Sequence, residues 1–317
     1  LQAGNGNIWD SGKTLSSASI LVPFKGKELK AGQTYYWKVR SWDKEDSPSR
    51  WSCIHTFGMG LLSEKDWSNA KWIALEKDRK DEIVTKRGCV LFRKSMAPFS
   101  KKDGSMKDRK DEIVTIGLHG LANVDRELKG KKIGMYRLPQ FRKEFTVQKT
   151  VKRATAYVSG LGHFDMFLNG EKVGNNFLDP GWTKYDKCAL YVTFDLSGQL
   201  KQGGNAIGVM LGNGFFNIPR ERYFKLLASY GAPRLLMKIQ IEYADGSTQD
   251  IVTGTDWKTT ESPVTYSSIY GGEDYDATKE QTGWMQPGFD DRTWNKALDT
   301  GWKTRLLSQR SAPLTVR

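Results

Sequence analysis

Cysteine is scarce, with Cys53, Cys89 and Cys188 the three in a chain of 317 residues. An odd and widely spaced set supports neither a disulfide framework nor a thiolate zinc site. Histidine is as rare: His55, His119 and His163 share no metal-ligand spacing, so each reads as a surface or internally satisfied side chain. No apolar run approaches the roughly 18 residues of a spanning helix, and hydrophobic residues make up 38% of the chain, which excludes a membrane channel or anchor. The long amphipathic helical patterns that a helical barrel needs are also missing. A concentrated basic patch is lacking too: the formal charge of +13 is spread along the chain and no RRM-like or finger-like pattern accompanies it, which argues against nucleic acid as a partner. Spread positive charge stays compatible with attraction to an acidic polymer. Aromatics are abundant at 12%, with 11 Trp and 32 Gly, the opposite of a disordered composition. The chain reads as folded and turn-rich, with length for about two domains at ~150 residues each.

Residues 29–43, LKAGQTYYWKVRSWD, place Tyr35, Trp37, Val39 and Ser41 on one strand face and Tyr36, Lys38, Arg40 and Trp42 on the other. Leu29, six residues before Tyr35 with Gly32 between them, is similar to the tyrosine-corner approach to strand F of a fibronectin type III domain. Ser49, Trp51, Ser52 and Phe57 then fall on the following strand. Such a sandwich takes about 100 residues, more than residues 1–58 supply. The expectation is an incomplete domain with an unpaired edge, in a chain that is a piece of a longer protein.

From Asp66 the text changes through DWSNAKWIAL into a charged stretch, 77–135, in which KDRKDEIVT occurs twice, at 77–85 and 107–115. FRKSM (92–96) and FRKEF (141–145) echo each other in the same way. Two copies do not make a solenoid, and an enlarged, exposed surface loop is expected. Residues 141–265 read as short strands. HFDMFLNGEKV (163–173) alternates across an Asn169-Gly170 hairpin turn, and residues 235–253 place Met237, Ile239, Ile241 and Tyr243 on one face before Asp245-Gly246. NAIGVMLGNG (205–214) reads as a buried strand ending in a Gly-Asn-Gly loop, and Pro219 introduces one short helix expected over 220–229. The fold class is therefore all-β: a truncated fibronectin type III-like sandwich over 1–58, then a jelly-roll, carbohydrate-binding-like β-sandwich over 59–300 with 77–135 as an insertion. SAPLTVR (311–317), within 301–317, reads as the start of a further β domain.

In order, WDSG (9–12), YYWKVRSWD, MGLL (59–62), DW..AKWIAL, FRKEF, YVSGLG (157–162), LNGEKVG (168–174), DPGWTKYD (179–186), LGNGFFN (211–217), SSIYGGEDYDA (267–277) and GFDDRTW (288–294) resemble the non-catalytic N-terminal half of bacterial alpha-L-rhamnosidases of glycoside hydrolase family 78. The resemblance covers most of the chain outside the duplicated segment. It implies a fibronectin-like domain, a jelly roll related to carbohydrate-binding modules, and catalysis by two carboxylates, with inversion, in an α/α barrel that this text does not contain. It further implies rhamnose-containing plant or pectic glycans and catalytic domains in cis as partners, and a periplasmic, secreted or cell-surface location in a bacterium. No cofactor is required by it. Some members bind rhamnose through calcium, which carboxylate and amide oxygens suit, but no ligand set is assigned here.

Sugar rings offer apolar faces to aromatic side chains and hydroxyls to carboxylates and amides, so a sugar loop should combine both. Asp179, Trp182, Tyr185, Asn213, Phe215, Phe216 and Asn217 do so; the competing reading makes Trp182 and Phe215 core plugs. A second candidate loop carries Glu273, Tyr275 and Asp276. Two carboxylates are the minimal glycosidase apparatus, but Glu273 and Asp276 at this spacing also suit a structural turn or an interdomain contact, and no catalytic residue is assigned. Three readings compete: the substrate-side scaffold of a rhamnosidase, a free-standing carbohydrate-binding or adhesion protein, and a piece of another beta-galactosidase-like glycosidase.

Overall fold

The computed structural model describes residues 6–16, 22–79, 90–92, 114–116, 134–219, 221–222, 228–309 and 314–315. They fall into two units, Leu1–Trp67 and Ser68–Arg317. Among the described residues the regular structure is almost entirely β, with the 3-10 turns Glu64–Trp67 and Ala277–Lys279 as its helical elements.

In the first unit, β1 (Thr34–Trp37) pairs antiparallel with β2 (His55–Gly58), setting Tyr35 opposite Phe57 and Trp37 opposite His55. The Tyr35 hydroxyl accepts a hydrogen bond from the Lys30 amide at 2.7 Å, so the tyrosine corner is formed. Gly32 takes φ +68°, a left-handed turn that glycine enters at little cost. The regular strand expected over 29–43 is confined to β1, and the reason is local. Beyond Trp37 the amides of Val39 and Ser41 donate to the Ser52 and Ser49 hydroxyls instead of to carbonyls, while Ser52 and Ser49 return amide bonds to Val39 and Ser41. Pairing continues, but two of its acceptors are side chains.

The second unit contains β3 (Ile73–Ala74), β4 (Val90–Phe92), β5 (Val114–Ile116), β6 (Pro139–Val147), β7 (Val151–Leu161), β8 (Phe164–Leu168), β9 (Glu171–Lys172), β10 (Asn176–Phe177), β11 (Cys188–Asp195) and β12 (Gly203–Leu211). There follow β13 (Asn217–Ile218), β14 (Ala228–Ser229), β15 (Arg234–Tyr243), β16 (Thr248–Val252), β17 (Lys258–Glu261), β18 (Val264–Ser268), β19 (Gly272–Tyr275), β20 (Asn295–Lys296), β21 (Leu298–Asp299), β22 (Arg305–Ser308) and β23 (Leu314–Thr315). One sheet runs β21-β3-β15-β7-β11-β22 with β16 also on β15; the other runs β20-β17-β6-β12-β8-β9. Successive long strands β6, β7, β8, β11, β12 and β15 alternate between the sheets, so the core is knitted from distant sequence. Phe141, Met166, Ile207 and Val209 from one sheet meet Ala156, Val158, Met237, Ile239 and Ile241 from the other in one apolar cluster, joined by Trp257.

The hairpin turns obey their sequence signals. Asn169 (φ 53°) and Gly170 (φ 91°) both take the left-handed conformations that a two-residue turn needs between β8 and β9. Gly246, at φ 83°, closes the β15–β16 hairpin, with Ser247 bonded back to Tyr243. The helix expected over 220–229 is corrected at its end: Ala228–Ser229 form β14 against β13, because the chain returns to the free backbone groups of Asn217 and Ile218. Residues 220 and 223–227 lie outside the described residues. Within 77–135, Val90–Phe92 and Val114–Ile116 form a two-stranded pair of their own. Most of both KDRKDEIVT copies, FRKSM beyond Phe92, Cys89 and His119 lie outside the described residues. Both ends of the stretch are tied down: Asp78 accepts from buried Arg234 at 2.6 Å, and the Arg79 guanidinium donates to the Met135 carbonyl at 2.8 Å.

Candidate functional site

Three loops meet at one end of the sandwich: 178–187, 212–217 and 268–272. Trp182 is 62% exposed, which rules out a core plug, and its indole stacks on Phe215 with centroids 4.5 Å apart and planes 5° from parallel. Tyr270, 46% exposed, meets Phe215 edge-on at 6.3 Å. The result is a ledge of three aromatic rings whose outermost member faces solvent.

The other residues of these loops are spent inward. Phe216 and Tyr185 are buried against each other, Tyr230 and Trp302, and burial pushes the Tyr185 hydroxyl pKa far up. Buried Asp179 accepts from the amides of Asn176 (2.7 Å) and Gln309 (3.0 Å), and its carbonyl accepts from Phe164. Buried Asn213 donates to the Ser267 carbonyl at 2.7 Å and accepts from Asn217 at 2.7 Å, while Asn217 also donates to the Gly134 carbonyl. Asn213 thus ties the 212–217 loop to the end of β18, and Asp179 anchors the 178–187 loop to β8, β10 and Gln309.

Beside the ledge lies a cavity of about 410 Å³. Gly214 and Ile269, each next in sequence to a ledge residue, form part of its wall, with His163, Asp165, Lys172, Phe177, Leu178, Glu273 and Tyr275 around the rest. Lys172 pairs with Asp165 at 2.7 Å. Burial lowers the His163 pKa against the opposing pull of Asp179, and loss of hydration, with Asp165 nearby, raises that of Glu273. The neighbouring carboxylates are committed elsewhere. Asp274 forms a bidentate pair with Arg222, which lowers its pKa; Asp276 caps the turn at Thr278 through a 3.0 Å bond; and Tyr275 donates to Glu280.

Sequence reasoning brought Glu273 and Tyr275 to attention but missed His163, Asp165, Lys172, Phe177 and Leu178. One signal was available: in β8, Asp165 alternates with buried Phe164, Met166 and Leu168, so it had to face away from the core. That β19 lies opposite is a tertiary fact with no local signal. Among the described residues no group of three or more His, Cys, Asp or Glu side chains could hold a metal ion. No helix among them is long and apolar enough to cross a membrane.

Residues 149–317 match the family model described as alpha-L-rhamnosidase N-terminal domain. The chain belongs to this family. Residues 2–63 match a second model, the Rha78A-like N-terminal immunoglobulin domain. An alpha-L-rhamnosidase of Formosa agariphila is 35% identical over 99% of this chain and 30% of its own length. The solved alpha-L-rhamnosidase of Dictyoglumus thermophilum superposes with a TM-score of 0.71 at 34% identity, over 96% of this chain and 29% of that one. A Streptomyces avermitilis alpha-L-rhamnosidase solved with L-rhamnose shares the fold, with a TM-score of 0.73 at 23% identity over 98% of this chain and 41% of that one. The chain thus spans about 30% of the length of the curated Formosa relative.

Proposed function

We propose that the chain is the β-rich, non-catalytic part of an enzyme that hydrolyses terminal alpha-L-rhamnosides, and that its sandwich recognises the glycan and scaffolds catalytic domains in cis. The observation that carries this reading is the exposed Trp182 ring, held flat by Phe215 and edged by Tyr270 on loops anchored through Asn213 and Asp179. A ring fixed in this way loses little freedom when it covers the apolar face of a sugar. The family supports rhamnose-bearing plant or pectic glycans as the ligand and an exported bacterial location for the enzyme. The carboxylates of the 273–276 loop are poor candidates for hydrolysis, since Asp274 and Asp276 are held by Arg222 and Thr278. The ledge loops also do not fit calcium, which takes about six to eight oxygens: both Asp179 oxygens are taken by amides and the Asn213 oxygen by Asn217, which leaves the buried Asn217 Oδ1 as the side-chain oxygen of these residues without a partner. Binding is expected to be indifferent to a chelator.

Calorimetric titration with a rhamnose-bearing disaccharide tests the reading, alongside a melting curve. Trp182→Ala should abolish the heat and leave the melting temperature in place, because an exposed ring contributes little to the core. Absence of heat with the wild-type chain overturns the ledge as a sugar site. Release of the aglycone from an aryl alpha-L-rhamnoside by this chain would overturn its non-catalytic role.

A further inference from the structure

The face of the first unit that carries Tyr36, Lys38, Arg40 and Trp42 has no part in the reading above, yet its side chains form an ordered row. Lys38 Nζ lies 4.5 Å over the Trp51 ring and the Arg40 guanidinium 4.7 Å over the same ring. That guanidinium is also 5.0 Å from the Trp42 ring, over which Lys13 Nζ lies at 5.7 Å. In contact order the row runs Lys38, Trp51, Arg40, Trp42, Lys13, so cations and rings alternate. Tyr36, two residues before Lys38 and 59% exposed, continues it by strand alternation. The flanking rings occupy the faces of the Arg40 guanidinium but not its edge. Its Nε is buried without a hydrogen-bond partner, and the carboxylates of the neighbouring turn are committed elsewhere. Asp46 pairs with Lys13, Glu45 with Lys44, and Asp43 accepts from the amides of Glu45 and Ser47. A planar guanidinium fixed by rings keeps its in-plane N–H groups as a fork, and a carboxylate fits such a fork with both oxygens.

We propose that this row is a binding face for an acidic polysaccharide, in which Arg40 and Lys38 take uronate carboxylates while Tyr36 and the 40% exposed Trp51 cover apolar faces of the sugar rings. A uronate chain repeats the two features that the row repeats, a negative group and a ring with an apolar face. The proposal rests on the reading that the chain handles glycans, and adds to the neutral-sugar ledge of the second unit a face for the charged units of a polymer. Each exposed ion pair contributes little alone. Affinity therefore comes from several contacts along one strand of polymer, and it weakens as salt screens the charges.

The full chain is titrated calorimetrically with polygalacturonate, with a neutral galactan as the uncharged control and with polyglutamate as a polyanion without sugar rings. Polygalacturonate should give saturable heat that fades with added salt, and Trp182→Ala should leave it unchanged. Polyglutamate should bind about tenfold more weakly, because it has no ring to cover Tyr36 and Trp51. Arg40→Lys keeps the charge but loses the fork, and should weaken polygalacturonate about tenfold; Lys38→Gln and Tyr36→Ser should each weaken it about threefold. Exchange of the Lys30 amide reports in every variant whether the tyrosine corner is intact. If Arg40→Lys loosens that corner, Lys38→Gln and Tyr36→Ser at the other end of the row decide. No heat with polygalacturonate overturns the face and leaves the ledge standing, since the ledge is read with the rhamnose-bearing disaccharide. Heat lost in Trp182→Ala puts the polymer on the ledge and overturns the proposal too. So do galactan or polyglutamate bound as tightly as polygalacturonate, or Lys38→Gln and Tyr36→Ser variants that bind like the wild type.

Discussion

In Leu1–Trp67 the aromatic side chains of the paired segments lie largely at the surface, with Tyr36, Trp37, Trp51 and Phe57 all exposed, whereas in Ser68–Arg317 rings such as Phe141 and Trp257 are sealed between two sheets. The first unit is held by other means. Tyr35 caps its own turn, serine hydroxyls replace carbonyls, and Lys38 and Arg40 lie 4.5 and 4.7 Å over the Trp51 ring. Order in one unit comes from many small polar and cation–π contacts, and in the other from burial. The aromatic ledge and the cavity both lie in the second unit.

The comparison can be broken most forcefully in the sandwich. Trp257→Ala empties the site of the largest fully buried side chain among the described residues, and should cost about 3–5 kcal/mol. Chemical denaturation should show Ser68–Arg317 unfolding early, with the tyrosine-corner amides of the first unit still protected from exchange. Next in size, Arg142→Met should cost about 3 kcal/mol: its buried guanidinium donates to the Trp284 and Gln286 carbonyls and pairs with Asp291 and Glu144, which would be left without it. Equilibrium unfolding monitored by circular dichroism measures that loss. In the first unit, Tyr35→Phe removes the bond accepted from Lys30 and a long one donated to Gln33, and should cost about 1 kcal/mol, read as faster exchange of the Lys30 amide.

The smallest expected effect is electrostatic. Arg292 holds the exposed Asp290 carboxyl down to about 2, chiefly through a side-chain hydrogen bond. Because the folded value lies below the unfolded one, the stabilisation is present above the usual carboxylate range and fades as pH falls toward 2. Carboxyl NMR should find that midpoint, and Arg292→Ala should move it up toward the ordinary range, with the residue 292 amide still donating to Asp290.

How much was legible follows the same division. Alternation in β8 and β15 and the Asn169-Gly170 turn depend on neighbours in sequence, so the sandwich strands could be read directly, as could the tyrosine corner. The length of β1 could not, because Ser49 and Ser52 compete for its amides from across the pair. Nor could β14, where Pro219 suits a helix start and a turn equally well. At the candidate site, Phe215 and Phe216 are adjacent and chemically identical, yet one builds the ledge and the other is buried under Arg234. Composition selects the loop; packing decides which ring faces water.

The central claim is that the loop end of the sandwich receives the rhamnose-bearing part of a glycan. Amide chemical-shift mapping with a neutral rhamnose-bearing oligosaccharide tests it in one spectrum. The account predicts saturable shifts confined to the loops around Trp182, Phe215 and Tyr270. Shifts centred on the exposed aromatics of the first unit, or none at saturating sugar, would contradict it.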